Sequence, residues 1–159
     1  MRLVIPPLAA ACAALFLNAC YRPPTPAAPS VYKMGEKVNV GHIVYTVIDT
    51  KWETSLPEDS EPRNPQHRFL LVRMSAANSG GDNMMLPNLV IEDDAGNTYQ
   101  ELSDGKGVPD WAGYLRRIGP AEASIGNILF DAPPKSYKLR VTDENGEKPA
   151  LVDMPLSFN

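Results

Sequence analysis

The strongest structural signal in this chain is the segment Arg-Phe-Leu-Leu-Val-Arg-Met-Ser-Ala-Ala-Asn, residues 68–78. Successive side chains of a β-strand point to opposite faces, so residues two apart share a face. One face of this segment is wholly apolar and consists of Leu70, Val72, Met74 and Ala76. The other face begins with Phe69 and Leu71 and turns polar at Arg73. The pattern predicts a strand with one face in a core and the other mostly in water.

Shorter runs of the same kind lie on both sides of this segment. Nine strands are predicted in all, at residues 37–40, 43–52, 68–78, 86–92, 98–102, 114–118, 123–130, 137–142 and 150–156. Residues that favour turns separate them, at 78–81, 94–97, 118–120 and 144–146. The sequence shows no convincing helical stretch and no repeat of fixed period, which disfavours propellers and solenoids. The predicted fold is all-β, an antiparallel β-sandwich of about 7–9 strands.

The beginning of the chain has the pattern of an export signal. Arg2 is the only charged residue before Cys20, and an apolar run extends from Leu8 to Leu17. This run is too short to span a bilayer as a helix. Residues 1–19 are therefore predicted to be a signal peptide that is removed on export.

The signal ends in Leu17-Asn18-Ala19-Cys20, which resembles the bacterial lipobox that precedes a lipidated cysteine. Cleavage before Cys20 would discard Cys12 and leave Cys20 as the single cysteine of the mature chain. An exposed unpaired thiol would be reactive, so diacylglyceryl and acyl chains on Cys20 explain the odd count. Two or more such chains anchor a protein stably to a membrane. The alternative is an ordinary secretory signal that leaves Cys20 as a free thiol.

The residues after Cys20 indicate where the protein is held and how its domain begins. Tyr21 follows the anchor rather than the Asp that typically retains lipoproteins at the inner membrane, so the outer membrane is predicted if the host is diderm. Residues 21–30 contain four prolines and little that can be buried. The predicted organisation is a signal peptide at 1–19, a lipidated cysteine and Pro-rich tether at 20–36, and the sandwich domain at 37–159.

The order of turn and core patterns in the mature domain carries a resemblance. The patterns occur at residues 35–38, 69–74, 94–99, 119–120 and 130–133. Their order resembles a family of bacterial exported domains of unknown function, which are telokin-like, immunoglobulin-like sandwiches similar in architecture to the mycobacterial immunoprotective extracellular protein. The resemblance implies an immunoglobulin-like sandwich. It implies no catalytic residue, because the family is defined by its fold.

Charge and residue content exclude several classes of function. With 15 Lys and Arg against 19 Asp and Glu, the net charge of −4 gives no basic surface for nucleic acid. His42 and His67 are the only histidines, and Cys20 is consumed by lipid, so no nucleophile and base are paired. Phosphate-binding loops and zinc motifs are missing from the sequence. We expect no enzymatic activity and no cofactor besides the lipid, although an enzyme built from carboxylates alone stays open.

Methionines raise one metal hypothesis. Thioether sulfur suits Cu(I), and the histidines would complement it. Met74 faces the predicted core, whereas Met84 and Met85 form a pair in a predicted loop. Filling of the core is the alternative interpretation of the methionines.

Alternation of loops between the two ends of a sandwich predicts two surfaces. One end would gather apolar loop residues that bind a partner, namely Met84, Met85, Val108, Pro109 and Trp111. Trp111 lies in the glycine-rich stretch 105–113, and aromatic side chains often anchor interfaces. The alternative is that Trp111 folds back as part of the core.

The opposite end would gather acidic loop residues, including the loop at residues 53–67. The oxygens of Asp93, Asp94, Asn97 and Asp143 would suit Ca²⁺ there. Short Asp, Asn and Gly stretches are also ordinary hairpin tips, which is the alternative.

Taken together, these patterns predict a non-enzymatic, membrane-anchored binding module of the cell envelope. Its partner would be an envelope protein or another envelope component, bound through loops of a rigid scaffold. Calcium binding is one alternative. Protease inhibition or carriage of a hydrophobic ligand on the same fold is another.

Overall fold

The computed structural model describes residues 28–158, and within that range the chain forms eleven strands and no helix. The strands, in chain order, are β1 (Ser30–Lys33), β2 (Val38–Val40), β3 (Ile43–Glu53), β4 (Phe69–Asn78), β5 (Met84–Met85), β6 (Val90–Glu92), β7 (Thr98–Gln100), β8 (Arg117–Ile118), β9 (Ala123–Asp131), β10 (Tyr137–Thr142) and β11 (Pro149–Met154). The predicted all-β fold is confirmed. Accordingly, no helix in residues 28–158 is long and apolar enough to cross a membrane.

Two main sheets pack face to face. One has the strand order β1-β11-β10-β6-β7 and the other has the order β2-β3-β4-β9, while β5 and β8 form a separate pair. Neighbouring strands are antiparallel except for β1, which runs parallel to β11. The predicted antiparallel sandwich is therefore confirmed, with one parallel strand added at an edge.

The main core lies between the two sheets, as the alternation in residues 68–78 predicts. Leu70, Val72 and Met74 of β4 face inwards, together with Leu139 of β10 and Val152 of β11. Burying an aliphatic side chain of this size stabilises the fold by about 1.5–3 kcal/mol. The inward face of β4 is thus the centre of the fold.

A second, smaller apolar cluster covers the outer face of the four-stranded sheet. It consists of Phe69 and Leu71 of β4, Leu129 of β9 and Leu56 from the connection between β3 and β4. Val108, in the long connection between β7 and β8, packs against it. The apolar start of the second face of β4 is explained by these two connections, which shield it from water.

The strand registers define two ends of the sandwich. At one end, which we call the His42 pole, Ile43 pairs with Asn78, and the β10–β11 turn at residues 143–148 approaches His42. At the opposite end, the His67 pole, Glu53 pairs with Phe69, and Asp131 accepts a hydrogen bond from the His67 backbone N–H. Strand β1 begins at the His42 pole, since Ser30 pairs with Ala150.

The structure corrects the predicted domain start. Residues 30–33 were assigned to the tether, but they form β1 and pair along their whole length with β11. The strand escapes sequence analysis because it follows prolines and its outward side chains, such as Val31, are exposed. The signal residues Leu17, Asn18 and Ala19, and Cys20 itself, lie outside the described residues.

Three predicted strands are much too long, and a second short strand was missed besides β1. The run 86–92 shrinks to β6, because Pro87 has no N–H to donate to a ladder. The run 114–118 shrinks to β8, since Leu115 adopts a φ of 55°, a left-handed conformation that ends an extended strand. The run 98–102 stops at Gln100. Strand β5, which pairs with β8, was predicted to be a loop.

Candidate functional site

The outer face of the four-stranded sheet carries a groove next to the second apolar cluster. Its larger part has a volume of about 430 Å³ and is lined by Glu53, Ser55, Leu56, Pro57, Leu71, Gly107, Val108 and Pro109. A smaller adjoining part of about 190 Å³ shares Glu53, Leu71 and Pro109 and adds Asp49, Thr50, Lys51, Arg73 and Asn127. We call the two parts together the outer groove. Its volume falls in the range of small-ligand and peptide sites.

The walls of the outer groove are formed by two connections between strands, and these connections contact each other. Arg63 donates from its guanidinium to the carbonyl of Asp104 at 2.9 Å and lies over the ring of Phe69, with 5.3 Å to the centroid. Gly107 has a φ of 79°, and a Cβ there would lie 2.2 Å from the carbonyl oxygen of Pro57. Only glycine permits this approach without strain. The connections between β3 and β4 and between β7 and β8 therefore form one joined wall.

Most of the charged side chains along the outer groove form ion pairs. Lys51 Nζ lies 2.7 Å from Glu53 Oε1, and Arg73 lies 3.1 Å from Asp110 Oδ2. The hydrogen bond to Glu53 raises the pKa of Lys51. Exposed pairs of this kind contribute less than about 1 kcal/mol to stability. Asp49 also lines the smaller part of the groove and takes part in no ion pair among the described residues, so one unpaired carboxylate remains near the apolar floor.

Trp111 lies beside the outer groove at the edge of β9. It forms a parallel bridge with Asn127, and its ring covers Gly105, where a Cβ would lie 1.9 Å from a ring atom. The side chain is 37% exposed and belongs to neither buried cluster. Trp111 is thus a half-exposed rim residue rather than part of the core.

The predicted apolar patch is divided in two, so the expectation of a single surface is wrong. Val108 and Pro109 line the outer groove, with Trp111 beside them. Met84 and Met85 instead form β5, and Met84 lines a pocket at the His42 pole. The division arises because the chain after β7 does not simply reverse: it runs along the edge of β9, where Leu102 donates to Leu129.

The predicted cation ligands are also divided. Asp93, Asp94 and Asn97 lie in the β6–β7 turn at the His67 pole, whereas Asp143 lies at the His42 pole. The acidic loop at residues 53–67 belongs to the His67 pole as well, so this part of the expected gathering is confirmed and only the loop with Asp143 is misplaced. Within residues 28–158, no group of three or more His, Cys, Asp or Glu side chains is placed to hold a metal ion.

Hydrogen bonds and ion pairs already occupy the carboxylate oxygens of these aspartates. Asp93 accepts hydrogen bonds from Asn97 Nδ2 at 2.9 Å and from Lys135 Nζ at 2.8 Å, and both hold its pKa well below the usual range. Asp94 is paired with Lys138. Asp143 accepts the backbone N–H of Glu147 at 2.7 Å. The hairpin-tip interpretation accounts for the contacts within the turns, and Lys135 and Lys138 occupy further oxygens of Asp93 and Asp94 from outside the turn.

Sequence reasoning missed two pairs of polar side chains that the structure brings together. One is a buried ion pair in which Arg116 makes two contacts of 2.7 Å with Glu101. The other joins His42 Nδ1 to Glu144 Oε1 at 2.7 Å. Its members are 102 residues apart, so no local motif reveals it.

The fold and its sites define a class of protein: a β-sandwich with long connections packed on one outer face. The chain belongs to the family described as Domain of unknown function (DUF4352), which matches residues 32–149. The predicted resemblance to a family of unknown function is confirmed at this level. No curated protein is significantly similar to the chain.

Solved structures share the fold at low sequence identity. The secreted protein MPT63 from Mycobacterium tuberculosis has a TM-score of 0.58 and 18% identity, over 81% of this chain and 98% of its own. The yjhA protein from Bacillus subtilis has a TM-score of 0.57 and 15% identity, over 77% and 98%. A third, the ycdA protein of the same species, is provisionally described as a lipoprotein and has a TM-score of 0.54 and 14% identity. That match covers 76% of this chain but 38% of ycdA.

Proposed function

We propose that this protein is an exported, lipid-anchored binding module of the cell envelope, which acts without catalysis through the outer groove. The observation that carries the proposal is the groove itself. Leu71 and Val108 give it an apolar floor, and the connections around it are fixed to the sheet rather than free. Binding residues commonly lie on loops that a rigid scaffold positions.

The chemistry of the outer groove favours an apolar, uncharged segment of a partner. Apart from Asp49, the nearby charges neutralise one another as Lys51–Glu53 and Arg73–Asp110 pairs. A charged partner would have to break these pairs, whereas an apolar partner would gain burial against Leu71 and Pro109. Trp111 at the rim supplies an aromatic side chain of the kind that contributes most to interfaces. The partner would be an envelope protein or another apolar component of the envelope.

Export and anchoring are supported by the sequence and by the fold relatives. The segment 17–20 resembles a lipobox, MPT63 is described as secreted, and ycdA is provisionally described as a lipoprotein. The nine residues 21–29 separate Cys20 from the start of β1. Fully extended, these nine residues span at most about 30–32 Å. The anchor would therefore hold the His42 pole towards the membrane, at the outer membrane in a diderm host.

Lipid anchoring is tested by Cys20→Ala. We expect the variant to lose incorporation of labelled fatty acid and to accumulate as uncleaved precursor, because both reactions act on Cys20. Cys12→Ala is the matched control and should be lipidated normally. A processed Cys20→Ala variant that still partitions into membranes would contradict the anchor.

The role of the outer groove is tested by photo-crosslinking in the intact envelope. A photoreactive amino acid at Pro109, which is exposed at the groove, should yield a crosslinked species of defined mass. The same probe at Asp153, which is exposed on β11, is the matched control outside the groove. Crosslinking that is equal at both positions, or undetectable at Pro109, would contradict binding in the outer groove.

A further inference from the structure

Asp49 is a charged residue of the outer groove whose carboxylate has no partner among the described residues. It lines the smaller part of the groove together with the apolar Leu71. We propose that the outer groove binds an extended peptide segment that carries one basic residue two positions from an apolar residue, with the Lys or Arg side chain at Asp49. This proposal rests on the proposed function and refines it, because the segment is apolar apart from that one residue.

A bulge in β3 places Asp49 on the outer face of the sheet. Val47 pairs with Met74 of β4. The next pair along the ladder is Asp49 with Arg73, so Ile48 is an extra residue. Without the bulge, Ile48 would stand opposite Arg73. Bulges are frequent next to active sites, where they re-aim a side chain. Here the bulge brings a carboxylate into the groove at a position that an isoleucine would otherwise hold.

The two cations nearest to Asp49 are held by other carboxylates. Arg73 stands directly opposite Asp49 in the ladder, but its guanidinium lies 3.1 Å from Asp110 Oδ2. Lys51, two residues further along β3, lies 2.7 Å from Glu53 Oε1. Two cations therefore face three carboxylates, and one negative charge remains at Asp49. A cation that binds there breaks neither of the existing pairs.

The strand register gives the spacing between this charge and the apolar floor. Leu71 pairs with Lys51, and Arg73 pairs with Asp49, so the two rows are two residues apart along the sheet. At about 3.3–3.4 Å per residue, the rows lie about 7 Å apart. Residues i and i+2 of an extended peptide have the same spacing and point to the same side. An extended segment lying along β4 would therefore place an apolar side chain over Leu71 and a basic one at Asp49.

A basic side chain suits Asp49 better than a metal ion does. Calcium takes six to eight oxygen ligands, and residues 28–158 hold no group of three or more His, Cys, Asp or Glu side chains placed to hold a metal. Lys and Arg need one carboxylate for their charged end and apolar surface for their stem. Ile48, next to Asp49 in the chain, is 44% exposed and offers such a surface.

The test titrates the full chain, held in phosphatidylcholine nanodiscs, into three fluorescently labelled peptides and follows their polarisation. The first peptide, acetyl-Thr-Leu-Thr-Lys-Thr-amide, has Leu and Lys two positions apart. The second has Gln in place of Lys. The third, acetyl-Thr-Leu-Lys-Thr-Thr-amide, has Leu and Lys on opposite sides of an extended chain. Empty nanodiscs give the background.

We expect the first peptide to bind about threefold to fivefold more tightly than the other two, which is the range that one exposed ion pair provides. The difference should disappear at about 1 M salt, where such pairs are screened. Asp49→Asn should remove the preference without changing the affinity for the Gln peptide. Asp49→Lys should reverse it, so that a peptide with Glu in place of Lys binds best.

Asp153→Asn is the matched control, because Asp153 is an exposed carboxylate on β11 in the other sheet, and this variant should keep the preference. Equal affinity for the three peptides, or a preference that survives Asp49→Asn, would overturn this proposal and leave the apolar groove of the proposed function standing. Failure of all three peptides to bind would also overturn it, and crosslinking at Pro109 would then decide separately on the proposed function.

Discussion

Replacing Glu101 by alanine is expected to lower the free energy of unfolding by about 3–5 kcal/mol, because the change leaves a buried arginine without its counter-charge. The side chains of Arg116 and Glu101 are 5% and 2% exposed, and the guanidinium meets both carboxylate oxygens at 2.7 Å. Glu101 also accepts the backbone N–H of Leu89 at 2.8 Å. Loss of the carboxylate therefore removes several contacts that water cannot replace.

Urea unfolding of Glu101→Ala measures the effect. Glu53→Ala is the matched control, because its partner Lys51 is 61% exposed and an exposed pair contributes less than about 1 kcal/mol. A double variant, Glu101→Leu with Arg116→Met, should recover much of the loss, since apolar residues of similar size often replace a buried pair without cost. A loss below about 1 kcal/mol in Glu101→Ala would show that the pair is solvated in solution.

This ion pair also bears on the proposed binding surface. Arg116 donates to the carbonyl of Gly113 at 2.6 Å, so the pair fixes the end of the connection that contains Val108 and Trp111. Leu115, beside Arg116, is held at a φ of 55° and is 62% exposed. Such a conformation is costly for a residue with a Cβ and persists only where the surroundings enforce it. The buried pair supplies that constraint.

Local patterns predicted the fold because they depend on neighbouring residues. The alternation in β4 and the turn residues before β7 and β11 each act within a few positions, and most of the corresponding strands were found. Strand β1 was missed because its pairing with β11 joins residues 120 positions apart, as in Ser30 with Ala150. Its own side chains carry little sign of burial.

The sites were harder to predict because they depend on the paths that the connections between strands take across the sheets. The prediction that loops alternate between the two ends assumed that each connection simply reverses the direction of the chain. The connection after β7 instead follows the edge of β9, with Asn127 donating to the carbonyl of Asp110 at 2.9 Å. This path separates Val108 from Met84. The Arg116–Glu101 and His42–Glu144 pairs have no sequence signature: the first joins the two ends of one irregular connection, 15 residues apart, and the second joins residues 102 positions apart.

One clue to the outer groove was present in the sequence, and it leads to the second large effect. Phe69 and Leu71 make the outer face of β4 apolar where a two-layer sandwich needs only polar residues. Phe69 is 1% exposed beneath Leu56, and Arg63 covers its ring. Phe69→Ala is therefore expected to cost about 3–5 kcal/mol, the range for truncating a buried aromatic residue.

Phe158→Ala is the matched control for this change. Phe158 also lies under a guanidinium, that of Arg68 at 5.3 Å, but it is 59% exposed and has little burial to lose. Urea unfolding should therefore separate the two variants by at least about 2 kcal/mol.

Hydrogen exchange would show where the loss of Phe69 acts. The Leu56 and Arg63 amides, which bond to each other's carbonyls at 2.9 and 2.8 Å, lie in the connection above Phe69 and should lose protection first. Amides of β10 and β11 belong to the other sheet and should open only with global unfolding. Equal loss of protection in both sheets would mean that the second cluster is not a separate layer. Selective loss would identify Phe69 as the support on which the walls of the outer groove rest.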